Sequence, residues 1–385
     1  MNPLYAAMTT TIFEEMSLAA RANDAINLGQ GFPEDDGAPD VRQAAADALL
    51  TRSNQYPPSM GVPELRQAIA AHYRRHQALD VTGDEVLVTS GATEAIAAAL
   101  LALISPGDEV LLIQPMYDAY LPLVQRAGGA ARFVTLRPPE WRLTREALEA
   151  AIGPQTRVLM LNNPLNPAAR AFDRQELGLL ADFCIAHDLI AICDEVWEHI
   201  LFDGRTHVPL IGLPGMSGRT IKIGSAGKIF SLTGWKVGFV VAAPRLLEPI
   251  ARAHQFLTFT TPPALQHAVA DGLTKPASFF AGESARYQRS RDRLAALLSA
   301  GGYVVLPSEG TYFLTVDLAA SGITEGDASF CRRIIKTHKV AAIPLSPFYA
   351  EQALRSVVRL CFAKRDATLD EAARRLIAAL RGATP

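Results

Sequence analysis

The chain has 385 residues, with 37 Lys and Arg against 39 Asp and Glu, and a formal net charge of −2 on 20% charged residues. That length, at about 150 residues per domain, predicts two to three lobes around a large core. The balanced charge excludes a basic surface for nucleic acid or an anionic-membrane patch. Hydrophobic residues make up 49% of the chain and alternate with punctuating Gly and Pro, which excludes a disordered chain and a coiled coil. No apolar run approaches the roughly 18 residues of a membrane span, and Met1-Asn2-Pro3-Leu4-Tyr5 lacks the pattern of a signal peptide. Cys184, Cys193, Cys331 and Cys361 are scattered through apolar patterns without a CxxC pair. They predict buried free thiols, no metal site and a cytoplasmic globular protein.

From Asp84 to Ala242 short β-branched runs alternate with longer helical ones. The pattern predicts strands over Glu85–Thr89, Glu109–Ile113, Ala131–Leu136, Arg157–Leu161, Leu189–Cys193, Thr220–Gly224 and Val237–Ala242. Amphipathic helices are predicted over Thr93–Ile104, Tyr117–Arg126, Thr144–Ile152 and Asp173–His187. Such alternation predicts an α/β fold with a mainly parallel sheet covered on both faces. Beyond Lys275 a long polar helix near Phe279–Ala300 leads into Tyr303–Val305, Thr311–Asp317, Asp327–His338, Val340–Ile343, Ser356–Phe362 and a last helix near Thr368–Leu380. This texture predicts a smaller α+β domain. The division is residues 1–39 as an N-terminal arm joining that domain, 40–275 as the large domain, and 276–385 as the C-terminal small domain.

Ligands of open α/β sheets gather beyond the carboxyl ends of the strands, so the post-strand segments are the places to look. Neither a G-x-G-x-x-G after a strand nor a P-loop is present, which disfavours a nicotinamide or nucleotide enzyme. Ser90-Gly91-Ala92-Thr93-Glu94 sits at a strand-to-helix junction, where free N–H groups and the helix dipole suit a phosphate monoester. Ser225 and Lys236 add a hydroxyl and a positive charge. Asp194 ends the apolar run Leu189–Cys193 and needs a cation or strong donor there. Asn166 lies between Pro164 and Pro167 and donates to a ligand oxygen. Lys228 follows the small residues Gly224–Gly227, which give its amine an open approach. Phosphate cradle, buried carboxylate, amide donor and accessible lysine together match a pyridoxal phosphate site.

The run Ser225-Ala226-Gly227-Lys228-Ile229-Phe230-Ser231-Leu232-Thr233-Gly234-Trp235-Lys236-Val237-Gly238 resembles the pyridoxal-lysine signature of class I aminotransferases of fold type I. Asn27–Pro33, Asn54-Gln55-Tyr56, Asn162–Pro167, Asp194-Glu195-Val196 and Val358–Phe362 recur in the same order. The resemblance covers nearly the whole chain and is closest to the branch of kynurenine aminotransferases (glutamine transaminase K) and bacterial methionine aminotransferases. It implies that Lys228 bonds the cofactor and carries the Cα proton, that Asp194 pairs with the pyridine nitrogen, and that Asn166 donates to the cofactor phenolic oxygen. Tyr117 would stack on the ring. Gly91, Ala92, Thr93, Ser225 and Lys236 would hold the phosphate, with Tyr56 of a second subunit. Arg359 would clamp the substrate carboxylate in a bidentate pair, helped by the Gly31 N–H. Phe13, Tyr117, Phe259 and Phe313 lie where the family contacts the substrate side chain, Phe259 from the neighbouring subunit.

Two departures stand out. Family members usually carry Tyr at the position of Trp197, and indole offers one N–H that cannot ionise. Ala168-Ala169-Arg170 lacks the glycine usual after this turn, which predicts a backbone that avoids positive φ. The resemblance implies a homodimeric, pyridoxal-phosphate-dependent transferase moving nitrogen from a neutral, sulfur-containing or aromatic L-amino acid to a 2-oxo acid. No second arginine motif offers to bind a distal carboxylate. Its rival on the same site is β-elimination from a cysteine S-conjugate. The rival of another class, a pyridoxal-binding regulator, is disfavoured because only about forty residues precede the first core helix.

Overall fold

The computed structural model describes residues 1–382. Seven strands form one sheet in the order Val86–Thr89, Gly238–Val241, Thr220–Ser225, Ile190–Asp194, Thr156–Asn162, Glu109–Gln114 and Ala130–Thr135. Neighbours run parallel except around Gly238–Val241, which is antiparallel to both of its partners. The inner strands are buried along almost their whole length. That is why they read as continuous apolar runs rather than alternating ones.

A second sheet of four antiparallel strands follows the order Ile343–Pro344, Val357–Cys361, Phe313–Asp317 and Val304–Val305. Near the other end of the chain, Ile26–Asn27 pairs in parallel with Val340–Ala341. The Leu28 carbonyl then accepts from Cys361 N–H at 2.7 Å. The segment after Leu28 is thereby laid beside the strand that carries Arg359. Among the described residues no helix is long and apolar enough to cross a membrane.

Three predicted elements change shape. The helix expected over Tyr117–Arg126 begins at Tyr120. Started at Tyr117, it would set Pro122 in its interior, with no N–H to donate and its ring against the Asp118 carbonyl; started at Tyr120, Pro122 falls in the permissive first turn. The run Val340–Ile343 divides into two short strands that join different sheets. The strand expected from Thr311 begins at Phe313, because Thr311 takes φ +67°, which a β-branched residue rarely adopts.

Candidate active site

Five segments leave the carboxyl ends of the parallel strands and converge on one cavity of about 450 Å³. The first is the entry to the Ala92–Leu103 helix. Gly91 occupies its N-cap at φ +82°, and no side chain caps the helix. Ala92 and Thr93 therefore turn uncapped N–H groups and the positive end of the dipole to the cavity. Glu94 faces away, bound by the Ser90 N–H at 3.1 Å and by His254 Nδ1 at 3.0 Å. Gly238 must be glycine here, since a Cβ would lie 2.5 Å from the Gly91 carbonyl carbon. The Lys236 side chain packs against Gly91, and its amine would come within 3.2 Å of a Cβ placed there. Ser225 and Lys236 line the same cavity.

Asp194 lies at the end of its strand, 6% exposed. The Tyr120 hydroxyl donates to Oδ2 at 2.5 Å, and Val196 N–H points at Oδ1 from 3.4 Å. Among the described residues it forms no ion pair. Burial pushes its carboxyl up, and the two donors only partly pull it back. Its main-chain oxygen accepts from Asn162 Nδ2 at 2.8 Å and from Asn163 N–H at 3.1 Å. Asn162 Oδ1 in turn holds the Asn166 N–H at 2.7 Å.

The turn after Asn166 corrects the expectation about its backbone: Ala169 adopts φ +58°. Its N–H donates to Leu165 O at 2.7 Å, and its carbonyl accepts from the N–H groups of Glu309 and Gly310. These bonds fix a left-handed residue that costs an alanine about 1–2 kcal/mol.

Arg359 comes from the centre of the antiparallel sheet and is 1% exposed. Nη1 donates to Asn166 Oδ1 at 2.7 Å and Nη2 to the Gly29 carbonyl at 2.9 Å, while Nε has no partner. Its guanidinium lies 3.9 Å from the Phe313 ring centroid and 5.2 Å from that of Phe13. Burial draws its pKa down to about 10. Among the described residues it has no carboxylate partner. A buried cation bounded by rings and held by neutral oxygens has the chemistry to take an anion.

Lys228 stands in the single helical turn Ala226–Ile229. Its amine donates to the Tyr312 hydroxyl at 3.0 Å and lies 4.7 Å from the Trp197 ring centroid. Burial pulls the amine down to about 8. Tyr117 also lines the cavity, its hydroxyl pushed up to about 12 by burial.

Among the site residues expected from the sequence, Gly31, Gly91, Ala92, Thr93, Tyr117, Asn166, Asp194, Trp197, Ser225, Lys228, Lys236, Phe13, Phe313 and Arg359 all line this cavity. Tyr56 and Phe259 do not reach it within their own chain. They pack edge to face at 5.4 Å on the surface, 83% and 40% exposed. Tyr120, Tyr312 and Asn162 are new to the site. Tyr120 sits three positions beyond Tyr117, a spacing that places two rings on one turn, and this was the available signal. Nothing local marks Tyr312, because strand alternation would turn it away from Phe313.

This fold, with a lysine, a buried carboxylate and an uncapped helix around one cavity, defines a fold type I pyridoxal-phosphate enzyme. The chain belongs to the family "Aminotransferase class I and II", matched over residues 23–376. It is similar to the N-succinyldiaminopimelate aminotransferase of Mycobacterium tuberculosis, whose structure aligns at a TM-score of 0.95 with 43% identity, over 98% of this chain and 100% of that one. It is 39% identical to the methionine aminotransferase of Escherichia coli, over 95% of both chains. It is 35% identical to human kynurenine–oxoglutarate transaminase 1, over 91% of both chains. The protein is an aminotransferase, its cofactor is pyridoxal 5′-phosphate, and amino acids and 2-oxo acids fit as its substrates. The residues present fit that cofactor, since the buried Asp194 lacks a cation and the helix at Gly91 lacks a cap.

Proposed function

We propose that this chain moves the amino group of a neutral, sulfur-containing or aromatic L-amino acid to a 2-oxo acid in two half-reactions, as a cytoplasmic homodimer. The observation that carries the substrate class is the allotment of charge. Lys228, Lys236 and Arg359 are the cations that line the cavity, and the cofactor bond, the phosphate and the substrate α-carboxylate use all three. The remaining carboxylate at the wall, Asp118, is half-buried and pushed up by burial. It disfavours a second carboxylate on the substrate, as in aspartate or N-succinyldiaminopimelate. Phe13 and Phe313 supply apolar walls beside Arg359.

Gly91, Ala92 and Thr93 would hold the phosphate with Ser225 and Lys236, Tyr117 would face the ring, and Asn166 and Trp197 would border its phenolic side. Asp194 would face the ring nitrogen, where a fixed anion favours the protonated form. When bound, the cofactor supplies the electron withdrawal that makes the substrate Cα–H acidic. Arg359 then fixes the α-carboxylate by two parallel hydrogen bonds, which orients Cα toward Lys228. The Lys228 amine, brought near neutrality by burial, takes the Cα proton and returns it one position along. Phe13 and Phe313 exclude water from the reacting carbon.

The homodimer is supported by the exposed apolar side chains Leu50, Tyr56 and Phe256, each more than four-fifths exposed. Tyr56 and Phe259 would complete the neighbour's cavity. Light scattering and activity on dilution test this part: a fully active monomer removes it. For the substrate class, single-turnover rates with methionine, glutamine, phenylalanine and kynurenine should exceed those with aspartate and N-succinyl-L,L-diaminopimelate by at least about tenfold. Faster turnover of either dicarboxylate overturns the reading.

A further inference from the structure

Tyr312 ties three distant segments to the reacting amine. Its hydroxyl donates to the Gly31 carbonyl and accepts from Lys228 Nζ at 3.0 Å. Its ring is 1% exposed and stands edge-on to Trp197, with centroids 4.4 Å apart. Burial pushes the phenol well above its ordinary pKa, so the oxygen keeps its proton. A phenol has one proton, and here Gly31 takes it. Only lone pairs face Lys228, and the hydroxyl accepts an amine N–H without capping the amine's own lone pair. Among the described residues Tyr312 is the only hydrogen-bond partner of that amine.

The backbone beside it is under strain. Thr311 sits at φ +67° and is fully buried. Its N–H donates to Ile200 O at 2.9 Å, and its Oγ1 accepts from Phe313 N–H at 3.1 Å. Gly310 is pressed so close that a Cβ would lie 2.9 Å from the Ile200 carbonyl oxygen and from Pro164. Strain of this kind persists where surrounding contacts over-determine it, and such places cluster at functional sites. The turn breaks strand alternation, so Tyr312 reaches Lys228 while the next residue, Phe313, reaches Arg359.

We propose that Tyr312 is the positioning residue for the free Lys228 amine: it holds one N–H of the amine released by the incoming amino acid and leaves the lone pair turned to the substrate Cα. The inference rests on Lys228 being the cofactor-bearing lysine. In the step, the Cα–H bond breaks, its proton passes to Lys228 Nζ, and its electron pair is drawn toward the bound cofactor; the Tyr312 proton stays on its own oxygen. The hydroxyl also couples the amine to the segment of Gly29 and Gly31, whose Gly29 carbonyl holds Arg359. The amine is thus aligned by the same backbone that steadies the carboxylate clamp.

The test compares the wild type with Tyr312→Phe, which keeps the ring and removes only the oxygen. In the cofactor-free protein, pH-dependent acetylation of Lys228 read by mass spectrometry gives the amine pKa. Loss of an acceptor that favours the charged amine should lower it by about one unit. In the holoenzyme kcat with methionine should fall about tenfold or more with KM within threefold, and the Cα-deuterium isotope effect should rise as proton transfer becomes limiting. Borohydride reduction and peptide mapping locate the pyridoxyl group in both proteins. A label on Lys228 with unchanged amine pKa and isotope effect overturns the role of Tyr312 alone. A label on another lysine overturns the assignment of Lys228, and Tyr312 with it.

Discussion

Asp194 and Glu195 are consecutive residues, and Lys222 and Lys228 are six apart, yet the two acid–base pairs live under opposite rules. Lys222 is wholly buried between Glu195 and Glu198, ion-paired to Glu195 Oε2 and 2.7 Å from Glu198 Oε2. His207, Tyr73, Gln77 and the Leu210 N–H occupy further carboxylate lone pairs. Burial alone would raise both carboxyls and lower the amine. The facing charges win, so Glu198 falls to about 2, Glu195 falls and Lys222 rises. At the active site the described residues form no such pairing, and burial wins instead: Asp194 rises, Lys228 falls to about 8 and Arg359 to about 10. A buried charge that the protein pairs becomes structure. A buried charge that it leaves unpaired stays open to a ligand.

The largest expected effect tests the unpaired side. Lys228→Ala should bind the cofactor through its phosphate contacts yet lose turnover by about 10⁴-fold or more, the upper end for removal of a general base. Single-turnover absorbance with methionine checks it, and retained turnover would show that another amine carries the proton. Next in size is a break on the paired side. Lys222→Met leaves two buried carboxylates without their cation and should cost about 3–5 kcal/mol of stability, read as a lower urea midpoint. The half-reaction rate of the folded fraction should stay within threefold. A slowed half-reaction at unchanged stability would erase the distinction between the two pairs.

Third in size is Asp194→Asn. It keeps the shape, removes the charge and leaves the Tyr120 hydroxyl an acceptor at the same place. Cofactor should still bind, while the first half-reaction slows at least about a hundredfold, roughly 2.7 kcal/mol of barrier. Stopped-flow turnover within threefold of the wild type would make Asp194 another structural carboxylate, and the contrast with Glu195 would disappear.

The groups that line the cavity were the legible ones. Lys228, Asp194 and Asn166 each follow a strand in a short motif, and a carboxylate after five apolar residues announces its own cost. The paired network was not legible, because it depends on register: Cys193 faces Lys222 across two strands 29 positions apart, and only that pairing brings Lys222 to Glu195 and Glu198. Tyr120 and Tyr312 escaped for a related reason, since their hydroxyls serve residues 74 and 84 positions away. The seven large-sheet strands were readable from their apolar runs. The positive φ of Ala169 and Thr311 was not, because in both cases hydrogen bonds and packing from distant segments override the residue's own preference.

The smallest effect sharpens the comparison by pH and concerns histidines packed beside the paired network. His72 is 1% exposed, and its Nε2 lies 2.7 Å from His199 Nε2, so one proton between them suffices and a second is repelled. His76 packs on the His72 ring, Phe280 covers all three, and the charge of Glu198 acts on each of them. Burial and the neighbouring histidines pull His72 down to about 3, and burial pulls His199 down to about 4. Unfolded histidine titrates near 6.5. Between those values the unfolded chain binds the proton and the folded chain refuses it, so stability is complete above pH 6.5 and is lost as pH falls. The loss from His72 alone amounts to about 1.4 kcal/mol per pH unit. Glu198 extends the decline below about 4.5, since its depressed pKa stabilises the fold only while it stays ionised. His72→Phe should flatten the decline of the urea midpoint between pH 6.5 and 4.5. An unchanged slope would mean that the cluster takes up protons in the folded state, and that burial beside the network does not hold these rings neutral.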